Sequence, residues 1–116
     1  MSDVRDREQT NIVINEIVNE TLRLLQNKVY KIFLYGSYAR GDFTEESDVD
    51  ILILLNCQKE QVMQYRKQIS RLSSRMSLKN DIEISLLLRD RETFESGENV
   101  LPFYKNIKRE GIQIYG

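Results

Sequence analysis

The chain has 116 residues, 41% hydrophobic and 30% charged, proportions that predict one globular domain over residues 1–116 with a single core. Its 17 basic and 18 acidic residues leave a net charge of −1, which excludes tight nucleic-acid binding through a whole-chain basic field. There is no histidine and one cysteine, Cys57, so histidine bases, Ser-His triads, most zinc sites and internal disulfides are excluded. What remains is carboxylate chemistry, expected in a reducing cytoplasm.

The start, Met1 to Gln9, is charged and lacks the apolar core of a signal peptide, and no apolar run nears the roughly 20 residues of a membrane span. From Asn11 to Gln26 the apolar residues Ile14, Ile17, Val18, Leu22 and Leu25 recur every three or four positions. They predict an amphipathic helix that begins somewhat earlier, near Val4 to Glu8. Val29 to Tyr35 is β-branched and aromatic and runs into Gly36, which predicts a first strand covered on both faces. A possible helical turn (Ser37–Gly41) and a polar loop lead to a second strand, Asp48 to Leu55. Its alternation sets Asp48 and Asp50 on one face and Val49, Ile51 and Ile53 on the other.

Gln58 to Lys79 reads as a second long helix through Val62, Tyr65, Ile69, Leu72 and Met76. Its cations from Arg66 to Lys79 read as a solvated face, with contact to RNA or an acidic partner the lesser alternative. Asn80 is expected to end that helix, and Asp81 to Leu88 to form a third strand. Arg91 to Glu95 suits a short helical turn. Pro102 suits the first turn of a last helix, and Gly111 its stop, with Ile112 to Tyr115 as a short closing strand. Cys57, Tyr104 and Tyr115 read as packing residues. The expected fold class is α/β (α+β): a small mixed β-sheet flanked by helices.

The chemistry concentrates between Tyr35 and Leu55. Gly36 permits a tight strand exit and a close backbone approach to an anion, Ser37 adds a hydroxyl donor, and Arg40 supplies a forked cation for phosphate oxygens. The alternative for Arg40 is a surface pair with Asp42 or Glu45. Asp48 and Asp50 project to one side as hard oxygen ligands, which suits Mg²⁺ bound together with substrate phosphates. Two such ions roughly 3.5–4 Å apart can activate an attacking oxygen and steady a leaving pyrophosphate. A third carboxylate is expected from the neighbouring strand, at Glu83 or Asp81.

Gly36-Ser37, ten intervening residues, then Asp48-Val49-Asp50 before an apolar run resembles the signature of the DNA polymerase β-type nucleotidyltransferase superfamily. The string GSYARGDFTEESDVDILI resembles its minimal nucleotidyltransferase (MNT) branch. The resemblance implies the polymerase β-type fold and transfer of AMP from ATP with release of pyrophosphate. It implies that Gly36, Ser37 and Arg40 hold the triphosphate, that Asp48 and Asp50 bind two Mg²⁺ ions, and that the third acid activates the acceptor hydroxyl. It further implies an antitoxin of a type VII-like HEPN/MNT toxin–antitoxin pair, whose acceptor is a tyrosine of a HEPN-domain ribonuclease toxin. One departure stands out. Where the family commonly carries aspartate in an apolar-Asp-apolar strand, this chain reads Asn80-Asp81-Ile82-Glu83-Ile84-Ser85. Glu83 fits that pattern with a longer side chain, and Asp81 lies one pleat earlier. The alternatives are a non-catalytic antitoxin that occludes its partner, or transfer to an RNA end or a small molecule. The small-molecule version is disfavoured for want of a second domain.

Overall fold

The computed structural model describes residues 7–97 and 101–116. The first amphipathic stretch forms α1, Arg7–Leu25, with Ile14, Ile17, Thr21 and Leu25 buried along one stripe. The expected start near Val4 lies outside the described residues. A single 3₁₀ turn, Gln26–Lys28, then delivers the chain into β1, Val29–Tyr35. One helical turn, α2 (Ser37–Arg40), and an irregular loop precede β2, Val49–Leu55. The predicted second long helix is divided. A 3₁₀ turn at Lys59–Gln61, where the Gln58 N–H donates to Gln61 Oε1 at 2.9 Å, leads into α3, Met63–Asn80.

The third strand requires a correction. Instead of running from Asp81 to Leu88, β3 spans Ile84–Asp90. Asp81 is the C-cap of α3, in left-handed conformation with φ 52° and ψ 47°, so it belongs to the helix exit rather than to the pleat. Asn80 does end the helix, with its side-chain amide donating to the Met76 carbonyl at 2.9 Å. The chain closes with α4 (Arg91–Gly97), α5 (Pro102–Glu110) and β4 (Ile112–Tyr115). Gly111 follows α5 as expected but for a different reason. Its backbone is extended (φ −71°, ψ 154°), and glycine is required because a Cβ would lie 2.5 Å from the Ile107 carbonyl oxygen.

The four strands form one mixed sheet in the order β3-β2-β1-β4. β1 pairs antiparallel with both β2 and β4, whereas β2 and β3 are parallel, with α3 as the crossover that a parallel pair needs. Helices cover both faces. On one side α1 and α3 pack on Val49, Ile51, Ile53 and Leu55. On the other, Phe94 of α4 and Tyr104 and Ile107 of α5 pack on Leu52 and Leu54. Burial on both faces explains the unbroken apolar run of β2. Each of its buried side chains contributes about 1.5–3 kcal/mol. The central strand therefore holds its N-terminal end, which carries the carboxylates, in a fixed register. Among the described residues no helix is long and apolar enough to cross a membrane.

Candidate active site

β1 leaves the sheet at Gly36, whose φ of 75° and ψ of −156° lie in a region only glycine occupies without strain. The Gly36 carbonyl accepts from the Ala39 and Arg40 N–H groups, each at 3.1 Å, closing α2 as a single turn. A helix this short has little macrodipole. An anion bound here would therefore be held by the backbone N–H groups, the Ser37 hydroxyl and the Arg40 guanidinium rather than by a helix dipole. The turn is fastened from below. Tyr38 is fully buried and stacks on Phe43 with ring centroids 4.3 Å apart. Arg7 donates to the Tyr38 carbonyl at 2.9 Å and lies over the Phe43 ring.

The loop to β2 is held by its own hydroxyls. The Thr44 N–H donates to Ser47 Oγ at 2.8 Å and the Ser47 N–H to the Thr44 carbonyl at 3.1 Å. Asp48, at its end, is exposed, and Asp50 is partly buried. In the antiparallel register Tyr35 faces Asp50. The Asp50 carboxylate reaches across to the strand exit so closely that a Cβ on Gly36 would sit 2.5 Å from Oδ2. The absence of a side chain at Gly36 thus makes room for Asp50 as well as permitting the turn. Burial, and then the charge of Asp48, push the Asp50 carboxyl above the usual aspartate range, while Arg40 opposes the shift. Arg40 itself is exposed and bonds Asp42 at 3.3 Å, so the surface pair and the electrostatic reach to Asp50 are both present.

Glu83 precedes β3 but continues its ladder, because its carbonyl accepts from the Val49 N–H at 2.9 Å. With Val49 opposite Ile84 and Asp50 opposite Ser85, continuing the register one step back puts Glu83 opposite Asp48 at the entry to the two strands. Asp81, turned out by its left-handed backbone, lines a shallow hollow with Glu45, Glu46 and Glu83. The structure thus brings Gly36, Ser37, Arg40, Asp48 and Asp50 to one end of the sheet, with Glu83 on the adjoining strand.

Tyr35 and Arg7 belong to this neighbourhood and were not singled out from the sequence. Burial and the Asp50 charge push the Tyr35 phenol up to about 12, against the effect of Arg89, so it is a neutral hydroxyl donor near neutral pH. Its position directly before Gly36, in a strand antiparallel to the Asp-containing one, was the available signal. Among the described residues no three carboxylate, cysteine or histidine side chains converge as a metal cluster. The donor set is the Asp48–Asp50 pair, whose mutual repulsion is what a divalent cation relieves. Such a pair fits an ion that completes its shell with substrate phosphates and water.

A family model described as a nucleotidyltransferase domain matches residues 14–114. Two proteins of Methanocaldococcus jannaschii, each provisionally named a protein adenylyltransferase, are 41% and 35% identical to this chain. Both matches span 102 residues, 88% of this chain and 95% and 94% of the relatives. Among solved structures, a provisionally named nucleotidyltransferase from Sulfolobus solfataricus superposes with a TM-score of 0.58 at 22% identity, covering 88% of this chain and 76% of that one. A toxin–antitoxin crystallised with AMP-PNP superposes with a TM-score of 0.54 at 19% identity, covering 87% and 72%. At these identities the two structures speak for the fold alone.

Proposed function

The chain belongs to the nucleotidyltransferase-domain family, and from that premise we propose that it transfers AMP from ATP to a protein hydroxyl, a tyrosine of a HEPN-domain toxin for which it is the antitoxin. The observation that carries this reading is the convergence at one sheet end. Tyr35 and Gly36 lie against Asp50, and Glu83 lies in register with Asp48. In this reading residues 1–116 are one minimal domain acting in the cytoplasm. The relatives named for protein adenylylation and the fold shared with a toxin–antitoxin support the choice of acceptor and partner.

Gly36, Ser37 and Arg40 would hold the triphosphate, and Asp48 and Asp50, with Glu83 beside them, would hold Mg²⁺. When bound, as two ions, Mg²⁺ would neutralise charge on the phosphates and lower the pKa of the acceptor hydroxyl. The acceptor oxygen attacks the α-phosphorus, its proton passes to the Glu83 carboxylate, and the bond to the leaving pyrophosphate breaks. Tyr35, protonated beside Asp50, orients that carboxylate.

A second reading is stoichiometric occlusion of the toxin, which needs a docking surface but no carboxylate chemistry. The double substitution Asp48→Asn, Asp50→Asn separates the two. Catalysis predicts that label transfer from radiolabelled ATP to a HEPN-domain partner falls by about 10²-fold or more and that neutralisation is lost with it. A double variant that neutralises as well as wild type at equal dose overturns the catalytic mechanism.

A further inference from the structure

β3, seven residues long, forms one border of the sheet, and among the described residues no strand pairs with its outer side. Because the Glu83 carbonyl faces β2, the odd-numbered backbone groups of this strand point into the sheet and the even-numbered ones point outward. Those at Ile84 are taken up by α3: its N–H donates to Ser77 Oγ at 3.0 Å and its carbonyl accepts from Ser73 Oγ at 2.6 Å. The Leu88 carbonyl accepts from Arg89 at 2.7 Å. The outward N–H and C=O of Leu86 and the N–H of Leu88 stand outside all of these bonds.

Alongside them runs an open groove of about 490 Å³ between α3 and β3, lined by Arg66, Ser70, Ser74, Glu83, Leu86 and Leu88 among others. One end of the groove is Glu83, the acid in register with Asp48. The other carries Arg66, seven residues before Ser73 and hence about 10 Å further along α3. Arg75 and Lys79 are engaged with Glu20 and Glu16 of α1, whereas Arg66 is exposed and holds no ion pair among the described residues.

We propose that this groove docks the acceptor protein as an extended strand added to β3, with an acidic residue on Arg66 and the target hydroxyl delivered at Glu83. The reading rests on the protein-adenylylation function proposed above and supplies its acceptor site. Backbone pairing at Leu86 and Leu88 provides affinity independent of side-chain identity, and the pockets along the groove read alternate residues. Glu83 to Leu88 spans about 17 Å at 3.3 Å per residue, so the acidic residue lies four to six positions from the modified hydroxyl.

The test uses the full chain and synthetic eight-residue threonine–valine peptides that carry one tyrosine and an aspartate five positions away. Lysine-for-aspartate and backbone N-methylated versions serve as controls. Amide hydrogen exchange and ¹⁵N shifts report on β3, and MgATP affinity is measured on the same samples. The aspartate peptide is expected to slow exchange at the Leu86 and Leu88 amides at least tenfold, and N-methylation to abolish this. Arg66→Glu should weaken the aspartate peptide at least tenfold, favour the lysine peptide, and leave MgATP affinity unchanged.

Absence of binding by every peptide overturns the proposal, as does binding without protection at Leu86 and Leu88, or an Arg66→Glu variant within twofold of wild type. Protection of those amides in the protein alone, growing with concentration alongside a doubled molar mass, assigns the edge to a second copy of the chain and overturns it too. Peptide protection without any MgATP binding sinks the nucleotidyl-transfer reading and keeps the docking surface; the converse sinks the docking surface alone.

Discussion

The two halves of the candidate site are built differently. On the β1–β2 side the parts interlock. Gly36 and Asp50 nearly touch, Tyr35 stands opposite Asp50, and Tyr38 is driven into the core beneath the turn. On the β3 side a single backbone bond, Val49 N–H to Glu83 carbonyl, ties down an exposed glutamate that borders an open groove. Interlocking preorganises the pole that, in the proposed reading, takes phosphate and metal. The acceptor pole is left for another molecule to complete. A small domain acting as proposed, on a protein acceptor, needs that asymmetry, because in that reading the nucleotide is always the same and the acceptor surface comes from outside.

The comparison breaks most readily at Gly36. In Gly36→Ala the new Cβ meets Asp50 Oδ2 while the backbone stays in a glycine-only region, so the variant should lose about 1–3 kcal/mol of stability by urea unfolding. It should also lose about 10²-fold in AMP transfer, since Asp50 must move. An alanine variant with wild-type transfer would falsify the interlocked pole.

On the open side, Glu83→Gln should reduce label transfer from ATP by about 10²-fold with little change in unfolding midpoint, because the side chain is exposed and only its backbone carbonyl is used. Asp81→Asn should keep both, since asparagine tolerates the left-handed C-cap. The reverse pattern moves the acceptor acid to Asp81.

The smallest effect concerns pH. The Asp50 carboxyl is raised in the folded protein, so its ionised form opposes folding. That opposition is absent below the ordinary aspartate range and sets in as pH rises through the raised value. In metal-free buffer Asp50→Asn should therefore melt slightly above wild type at neutral pH, with the gap closing on acidification. A gap that widens toward acid contradicts the assigned cause.

Much of this was legible in one dimension, and what was lost has a physical pattern. Strand β2 and the Gly36-Ser37 and Asp-x-Asp pieces were readable because their chemistry is local: alternation on a strand and a glycine at a turn. The start of β3 was misread because Asp81-Ile82-Glu83-Ile84 alternates like a strand, yet Asp81 is taken by the helix before it. Gly111 was placed correctly for the wrong reason, since the clash with the Ile107 carbonyl exists only once α5 is folded. The long helix from Gln58 was divided at Val62, where a capped 3₁₀ turn keeps the same apolar stripe and so leaves no break in the periodicity.

By itself the sequence determined the residue types that can do chemistry, carboxylates without a single histidine, and the order of elements that carries them, because both are set by composition and short-range periodicity. Only the tertiary structure decided the pairings: Tyr35 and Gly36 against Asp50, Glu83 rather than Asp81 in register with Asp48, and β3 at the border of the sheet. Register and edges arise from which strands lie side by side. That is a property of long-range packing on a shared core, which no window of neighbouring residues contains.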